Sequence, residues 1–219
     1  GAGKSTVVSL LSRFYDLDSG KITIDGKDIS QATLHSLRSQ MGIMLQDSFI
    51  FSGTIYDNIR YGRLDATEEE IREAAKIVCA DEFISEMKDG YMTEVNERGS
   101  KLSGGQKQRI SLARAILKDP SIIILDDTTS AIDMETESMI QNELKKISDE
   151  RTVFIIAHRI SSIIHADQIL VLDNGRLVER GTHEQLLAKK GYYSTVFHHQ
   201  YGEFDRFKKV RAEKGRGEA

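Results

Sequence analysis

Short apolar runs recur along the chain and predict the strands of an α/β fold. Ile122–Leu125 and Val153–Ile156 are apolar at every position and rich in β-branched residues, which is typical of strands buried on both faces of a parallel sheet. Met41–Leu45 predicts another short strand. Lys21–Asp25 alternates between polar and apolar residues and ends at Asp25-Gly26, a turn signal.

Helices are expected between these strands. Apolar spacing of three and four residues predicts them over Ser5–Arg13, from Thr67, from Gln106, over Ile140–Ile147 and near His183–Lys189. Glu70 follows Thr67 at the spacing of a capping box. Ile169–Leu172 and Arg176–Val178 flank Asn174-Gly175, a strong hairpin signal. Strands that alternate with helices indicate an α/β core with a mainly parallel sheet.

The segment between the strands at Met41–Leu45 and Ile122–Leu125 is too long for a simple crossover. We therefore predict one domain over residues 1–200, in which a helical subdomain of residues 47–117 is inserted between core segments 1–46 and 118–200. Residues 201–219 carry many charges and few large apolar side chains, so we expect a frayed tail.

Composition narrows the class of protein. The 219 residues include 30 basic and 34 acidic side chains, a net charge of −4, which argues against a nucleic-acid partner because such domains are usually basic. The longest apolar runs fall far short of the roughly 20 residues that a membrane span needs. The single cysteine, Cys79, cannot form an internal disulfide and is expected to be a small buried residue in a reducing compartment.

The chain opens with Gly1-Ala2-Gly3-Lys4-Ser5-Thr6, the second half of the phosphate-binding pattern GxxxxGK[ST]. Glycines let backbone N–H groups close around phosphate oxygens at a helix N-terminus. We expect Lys4 to reach the β- and γ-phosphates and Ser5 to bind Mg²⁺. Such a loop normally follows a strand, so we also expect the chain to be part of a longer protein. A chance Gly-Lys-Ser turn is the alternative.

Two further motifs carry chemistry. Asp126 ends the buried strand Ile122–Leu125, and a carboxylate at a strand end beside a P-loop is expected near the Mg²⁺, through water, although such residues are often only caps. Ser103-Gly104-Gly105-Gln106 precedes a helix and forms a second anion site. Because the P-loop already holds one nucleotide, this second site predicts contact with the ATP of a neighbouring subunit. A glycine-rich helix cap is the alternative.

Together these motifs resemble the nucleotide-binding domain of ABC transporters over nearly the whole chain. Gly1–Thr6 is similar to the end of Walker A, Ile122–Asp126 to Walker B, and Leu102–Gln106 to the LSGGQ signature. The resemblance implies a P-loop NTPase core of the RecA-like type, ATP and Mg²⁺ as cofactors, and a second ABC ATPase domain as partner.

The resemblance also implies roles for single residues. Gln46 falls at the Q-loop, whose glutamine contacts Mg²⁺ and senses the membrane domain. His158 falls at the switch histidine, which contacts the γ-phosphate. Asp133 belongs to a stretch, Ser130–Asp133, that resembles the D-loop at the dimer interface.

Three segments resemble the exporter branch of the family. They are Phe51–Ile55, Thr93–Gly99, which is similar to the X-loop with Asn96 where Gly is usual, and Gly181–Leu187. The resemblance implies a fused or associated transmembrane domain, a place at the cytoplasmic face of the cell membrane, and ATP-driven export. The membrane domain, the strand before the P-loop and an adenine-stacking aromatic loop are expected upstream.

Asp127 departs from the family pattern, which has Glu as general base after Walker B. A general base must come within about 2.6–3.2 Å of its proton or act through one water. Aspartate is one methylene shorter, and a misplacement of about 1 Å can cost on the order of 10²-fold in rate. We therefore predict a site that binds ATP and hydrolyses it slowly, in a heterodimer whose partner carries Glu.

Other functions remain open at this point. A homodimeric exporter could use Asp127 as its base together with His158. A non-catalytic module could bind ATP only to dimerise. A soluble ABC ATPase outside transport would not be expected to have the exporter-like segments. An importer subunit would be a separate chain, without a fused membrane domain.

Overall fold

The computed structural model describes residues 2–46, 48–126, 131–148 and 150–201. The strands are β1 Thr23–Ile24, β2 Lys27–Asp28, β3 Met41–Met44, β4 Gly53–Thr54, β5 Glu94–Val95, β6 Ile122–Asp126, β7 Thr152–Ile156, β8 Ile169–Asp173 and β9 Arg176–Gly181. The α-helices are α1 Lys4–Leu11, α2 Leu34–Ser39, α3 Ile55–Arg60, α4 Glu68–Ile77, α5 Asp81–Glu86, α6 Gly104–Leu117, α7 Met134–Ser148, α8 His183–Lys189 and α9 over residues 192–201.

The chain divides into two compact units. The larger unit comprises Ser5–Ile156, and the smaller unit comprises the N-terminal residues to Lys4 and the chain from Ala157 onward. The predicted subdomain boundaries at residues 47 and 117 stay a prediction. The predicted tail, apart from Tyr201 in α9, lies outside the described residues.

A parallel sheet forms the centre of the larger unit, in the order β3-β6-β7. Met44 pairs with Leu125, and Asp126 pairs with Ile156, so the carboxyl ends of the three strands lie at one edge. Ile122–Leu125 of β6 are buried, as predicted, and Asp126 is buried as well. The same prediction is wrong for β7, in which Thr152 and Ile155 are exposed and the other three residues are only half-buried.

Two cores cover the two faces of β6. Ile123 and Leu125 pack into a cluster with the apolar residues of α3, α4 and α6. Ile122 and Ile124 pack into a second cluster with Val8 of α1 and residues of α2 and β3. A strand with apolar cores on both faces needs apolar residues at every position, which explains its unbroken run.

The segment between β3 and β6 is mostly helical, as predicted, and α4 begins with the predicted capping box of Thr67 and Glu70. It also contains an unpredicted two-stranded sheet, in which Gly53 of β4 pairs with Val95 of β5. Strands of two residues are too short to show a period of two in the sequence, which is why the pattern did not reveal them.

The smaller unit is built around the hairpin of β8 and β9. Its turn residues Asn174 and Gly175 have positive φ values of 45° and 73°, as the Asn-Gly signal predicted. Ile169 of β8, Leu186 of α8 and Tyr193 of α9 share a small core with Ile160. The sequence analysis did not predict α9. No helix in the described part of the chain has the length and apolar character needed to cross a membrane.

Asn58 is a buried polar residue that fixes the loop before α3. Its side chain is 1% exposed, accepts a hydrogen bond from the Phe51 N–H at 2.9 Å, and donates to the carbonyls of Phe51 and Thr54 at 2.9 and 3.0 Å. Buried polar groups left without partners are costly, so this amide holds residues 51–54 in one conformation.

We expect Asn58→Ala to lower the free energy of unfolding by about 2–4 kcal/mol, because it removes several buried hydrogen bonds and leaves backbone groups of Phe51 unpaired. Denaturant unfolding of the chain measures the change. Asn142→Ala, at an exposed position of α7, is the matched control and should change stability by less than about 0.5 kcal/mol. Equal effects of the two substitutions would contradict this role of Asn58.

Candidate nucleotide-binding site

The phosphate-loop residues lead directly into α1. Gly1 lies outside the described residues; Gly3 has a φ of 91°, and α1 begins at the next residue, Lys4. The Ala2 carbonyl accepts a hydrogen bond from the Gly175 N–H at 3.2 Å, which ties this loop to the β8–β9 turn. The first N–H groups of a helix have no partner inside it and attract anions, so the start of α1 suits phosphate.

Ser5 and Asp126 meet although 121 residues separate them. The Ser5 hydroxyl donates to Asp126 Oδ2 at 3.2 Å, and Asp126 is 6% exposed at the end of β6. A hydroxyl and a carboxylate oxygen side by side are the hard ligands that Mg²⁺ prefers. The residues present therefore fit the predicted ion, and nucleotide phosphates and water would supply its remaining ligands.

Gln46 and Thr6 are both exposed. Gln46 lies two residues beyond β3, and Met44 of β3 pairs with Leu125, so Gln46 leaves the sheet at the edge where Asp126 ends β6. Thr6 is in the first turn of α1. Their contacts with nucleotide and ion stay predictions.

Two further residues are predicted to be catalytic, His158 as a contact of the γ-phosphate and Asp127 as the general base. His158 is exposed, two residues beyond β7, and belongs to the smaller unit. Asp127 lies outside the described residues, together with the three residues that follow it. The catalytic roles of both stay predictions.

The signature residues form the start of α6. Ser103 caps the helix: its hydroxyl accepts from the Gln106 N–H at 3.2 Å, and the Gln106 side chain accepts from the Ser103 N–H at 2.9 Å. The helix cap, which was the alternative interpretation of this motif, is therefore present in the structure. The Ser103 hydroxyl still carries a proton that it can donate to an anion.

Close packing explains why both signature glycines lack a side chain. A Cβ on Gly105 would lie 2.9 Å from the Ala131 carbonyl oxygen, and one on Gly104 would lie 3.2 Å from the Ala131 Cβ. The Gln108 side chain also accepts from the Ala131 N–H at 3.3 Å. The signature helix is thus packed against Ala131, which precedes α7, a contact that the sequence analysis missed.

Asp133 caps α7 in the structure. Its Oδ1 accepts from the Thr136 N–H at 2.9 Å. Hydrogen bonds from Thr136 hold the pKa of Asp133 below its usual value, so the carboxylate stays charged at the helix N-terminus, where a negative charge is favourable. Its predicted role at a dimer interface stays a prediction.

Arg114 is a second feature that sequence reasoning missed. Its guanidinium donates to the Asn58 carbonyl at 2.8 Å and to the Phe49 carbonyl at 3.0 Å, and lies 4.9 Å from the Phe51 ring centre. Burial lowers its pKa to about 10. The sequence contained one signal for this role: Arg114 follows Ile110 by four residues and therefore lies on the apolar stripe of α6.

The family model described as ABC transporter matches residues 1–130, more than half of the chain. The chain belongs to the ABC transporter family. This ABC domain is 57% identical over 201 residues to the uncharacterized ABC transporter ATP-binding protein YknU of Bacillus subtilis, which covers 92% of this chain and 34% of the relative. It is 54% identical over 197 residues to the putative multidrug export ATP-binding/permease protein YgaD of the same organism, over 90% and 34% of the two chains.

A solved structure of a bacterial Atm1-family ABC exporter with ATP bound superposes with a TM-score of 0.88 at 48% identity, covering 91% of this chain and 35% of the other. The predicted family and the predicted α/β P-loop NTPase fold are confirmed, and the predicted enzyme class, an ABC-type ATPase, is that of this family. The ABC domain spans about a third of the length of these relatives.

We expect Gly105→Ala to lower the free energy of unfolding by about 1–3 kcal/mol, because its methyl group would overlap a backbone oxygen. In Gly104→Ala the new methyl group meets only the Ala131 methyl group. This substitution should therefore lower the free energy of unfolding by less, and adding Ala131→Gly should restore the lost stability. Denaturant unfolding of the four variants checks both statements. If Ala131→Gly also restored the stability lost in Gly105→Ala, the overlap with the backbone oxygen would be contradicted.

Proposed function

We propose that the chain is the ATP-binding and ATP-hydrolysing domain of an exporter, and that ATP-dependent association of two such domains drives export. The observation that carries this proposal is the contact of Ser5 with Asp126 beside the start of α1. The likeness to a putative multidrug export protein and to an ATP-bound Atm1-family exporter supports it. The transported substrate would be chosen by the membrane domain.

In the proposed site, one set of groups binds the negatively charged phosphates and another set binds the metal ion. The N–H groups at the start of α1 and the Lys4 ammonium would hold the β- and γ-phosphates. Ser5, Asp126 and Gln46 would hold Mg²⁺, which when bound would neutralise negative charge on the phosphates. Asp126 suits this task because β6 fixes its backbone within the sheet.

Hydrolysis needs a base and a group that stabilises the γ-phosphate. We propose that Asp127 accepts the proton of the attacking water and that His158 donates to the γ-phosphate. Because Asp127 is shorter than the usual Glu, we propose slow hydrolysis at this site. Its partner domain in a heterodimer would then carry Glu, whereas a homodimer would depend on Asp127 at both sites.

The signature would complete the site of the second ABC domain. The Ser103 hydroxyl and the N–H groups at the start of α6 would bind the γ-phosphate held by that partner. Asp133 would lie near the same interface. A chain with intact signature residues and a weak base can thus support hydrolysis at its partner's site, which favours the heterodimer. A module that binds ATP only to dimerise is the second candidate, favoured by Asp127 alone.

We propose that a transmembrane domain, fused or associated, contacts the aromatic segment after Gln46. Phe49 and Tyr61 are 47% and 60% exposed; the Phe49 ring meets the Phe51 ring edge to face, and the Tyr61 ring packs against it at a tilt. Arg114 and Asn58 hold the backbone under these rings. The chain would then lie at the cytoplasmic face of the cell membrane as part of an integral membrane protein.

Asp126→Asn should remove most of the Mg²⁺-dependent gain in ATP affinity of the full-length protein, by about tenfold or more, because it replaces a charged ligand oxygen with an amide. Binding is measured with Mg²⁺ and with EDTA. Asp65→Asn, at an exposed position, is the matched control. An unchanged Mg²⁺ dependence in Asp126→Asn would refute the assignment of the ion.

Asp127→Glu should raise the steady-state ATPase rate of the full-length protein, produced without other ABC chains, by about tenfold or more, since the added methylene brings the carboxylate within reach of the water. Asp65→Glu serves as the control and should leave the rate unchanged. A parent that is already fast and gains little from Glu would rule out the weak site and favour a homodimer that uses Asp127.

A further inference from the structure

Gln200 of α9 contacts the backbone of residues 158–160, here called the histidine loop. Gln200 Nε2 donates to the His158 carbonyl oxygen at 2.9 Å, and Gln200 Oε1 accepts from the Ile160 N–H at 2.9 Å. One amide side chain therefore spans the residue between them. Both contacts lie within the smaller unit.

We propose that Gln200 is a positioning residue for His158, and that α9 thereby sets the rate of ATP hydrolysis. The inference rests on the proposed role of His158 at the γ-phosphate. Gln200 does not touch nucleotide in this account; it fixes the main chain from which the imidazole projects.

The amide joins a buried and an exposed part of the histidine loop. Ile160 is 5% exposed and anchors the loop in the small core, whereas His158 itself is exposed. Beyond Ile160 the backbone closes a turn through the bond from the Ile163 N–H to the Ile160 carbonyl at 3.0 Å. Gln200 links the anchored residue to the exposed one, so its loss frees the histidine backbone without removing the anchor.

Several contacts fix α9 itself. The Glu179 carboxylate of β9 accepts from the N–H groups of Tyr192 and Tyr193 at 2.7 and 2.9 Å, at the start of the helix. Such a charge also favours the helix dipole. The Tyr193 hydroxyl lies 2.8 Å from His183 Nδ1, and the Phe197 ring packs against the same His183. Gln200 is thus presented by a helix that β9 and α8 hold in place.

The chemistry of the side chain makes the proposal specific. The two ends of a glutamine amide differ, so that its nitrogen donates to one backbone group while its oxygen accepts from the other. Gln200→Glu keeps the acceptor for the Ile160 N–H and replaces the donor by an anion facing the His158 carbonyl. Gln200→Ala removes both bonds and leaves the rest of α9 in place.

The test is a double-mutant cycle in the full-length protein, in whichever of the parent and Asp127→Glu hydrolyses ATP faster. Gln200→Ala and Gln200→Glu should each lower kcat by roughly tenfold and leave KM within about twofold, as expected for a misplaced catalytic group. In the presence of His158→Ala, Gln200→Ala should have no further effect, because residues that act as a unit are not additive. His199→Ala, the exposed neighbour on α9, should leave kcat unchanged.

A second readout does not need turnover. Diethyl pyrocarbonate modification of His158, followed by mass spectrometry, should be slowed several-fold by a non-hydrolysable ATP analogue with Mg²⁺ in the parent and in His199→Ala. Gln200→Ala should lose this protection while binding the analogue as tightly.

The outcomes distinguish failure of the proposed role of His158 from failure of the positioning role of Gln200. If the analogue does not protect His158 in the parent and His158→Ala leaves kcat unchanged, the proposed role of His158 fails and the inference fails with it. If His158→Ala lowers kcat while Gln200→Ala keeps both kcat and protection, the proposed function stands and the positioning role is overturned. Additive effects in the cycle would overturn it as well.

Discussion

Burial of β6 on both faces fixes the carboxylate of Asp126, and the candidate site depends on that placement. Alternate residues of this strand enter two different cores, and Asp126 pairs with Ile156 at the strand end. If the register of β6 shifted by one residue, the Asp126 carboxylate would move further into the sheet, where an unpaired charge is very costly. The register therefore brings an acidic oxygen to the Ser5 hydroxyl, and with it the two protein oxygens that suit Mg²⁺.

Helix α6 connects the signature with the segment that follows Gln46. At its start, Ser103 and Gln106 form the cap and the two glycines pack against Ala131. Near its end, Arg114 binds backbone groups of Phe49 and Asn58. One helix of 14 residues thus relates the surface proposed for a second ABC domain to the surface proposed for the membrane domain.

Local signals in the sequence were sufficient for the elements that carry them. The apolar run of β6, the Asn174-Gly175 turn and the Thr67 capping box each encode their structure within a few residues, and all three were predicted. β7 has the same kind of apolar run as β6 but is less buried, because burial depends on what covers a strand rather than on its own residues. The two-residue strands β4 and β5 exist only through their pairing with each other.

Contacts between distant segments account for what the sequence did not reveal at the site. Motif positions predicted that Ser5 and Asp126 act at one Mg²⁺ site, and in the structure the Ser5 hydroxyl donates to Asp126. Nothing in the spacing of Gly104 and Gly105 indicated Ala131, and nothing near His158 indicated Gln200, which comes 42 residues later. Such partners are set by the packing of whole elements, so they become visible only in three dimensions.

The central claim is that this chain and a second ABC domain enclose ATP. A structure of the full-length protein with Mg²⁺ and a non-hydrolysable ATP analogue tests it most directly. We predict phosphates at the start of α1, a metal ion in contact with Ser5 and close to Asp126, and Ser103 at the γ-phosphate held by the partner domain. An analogue bound away from the start of α1, or bound there with Ser103 remote from any nucleotide, would contradict it.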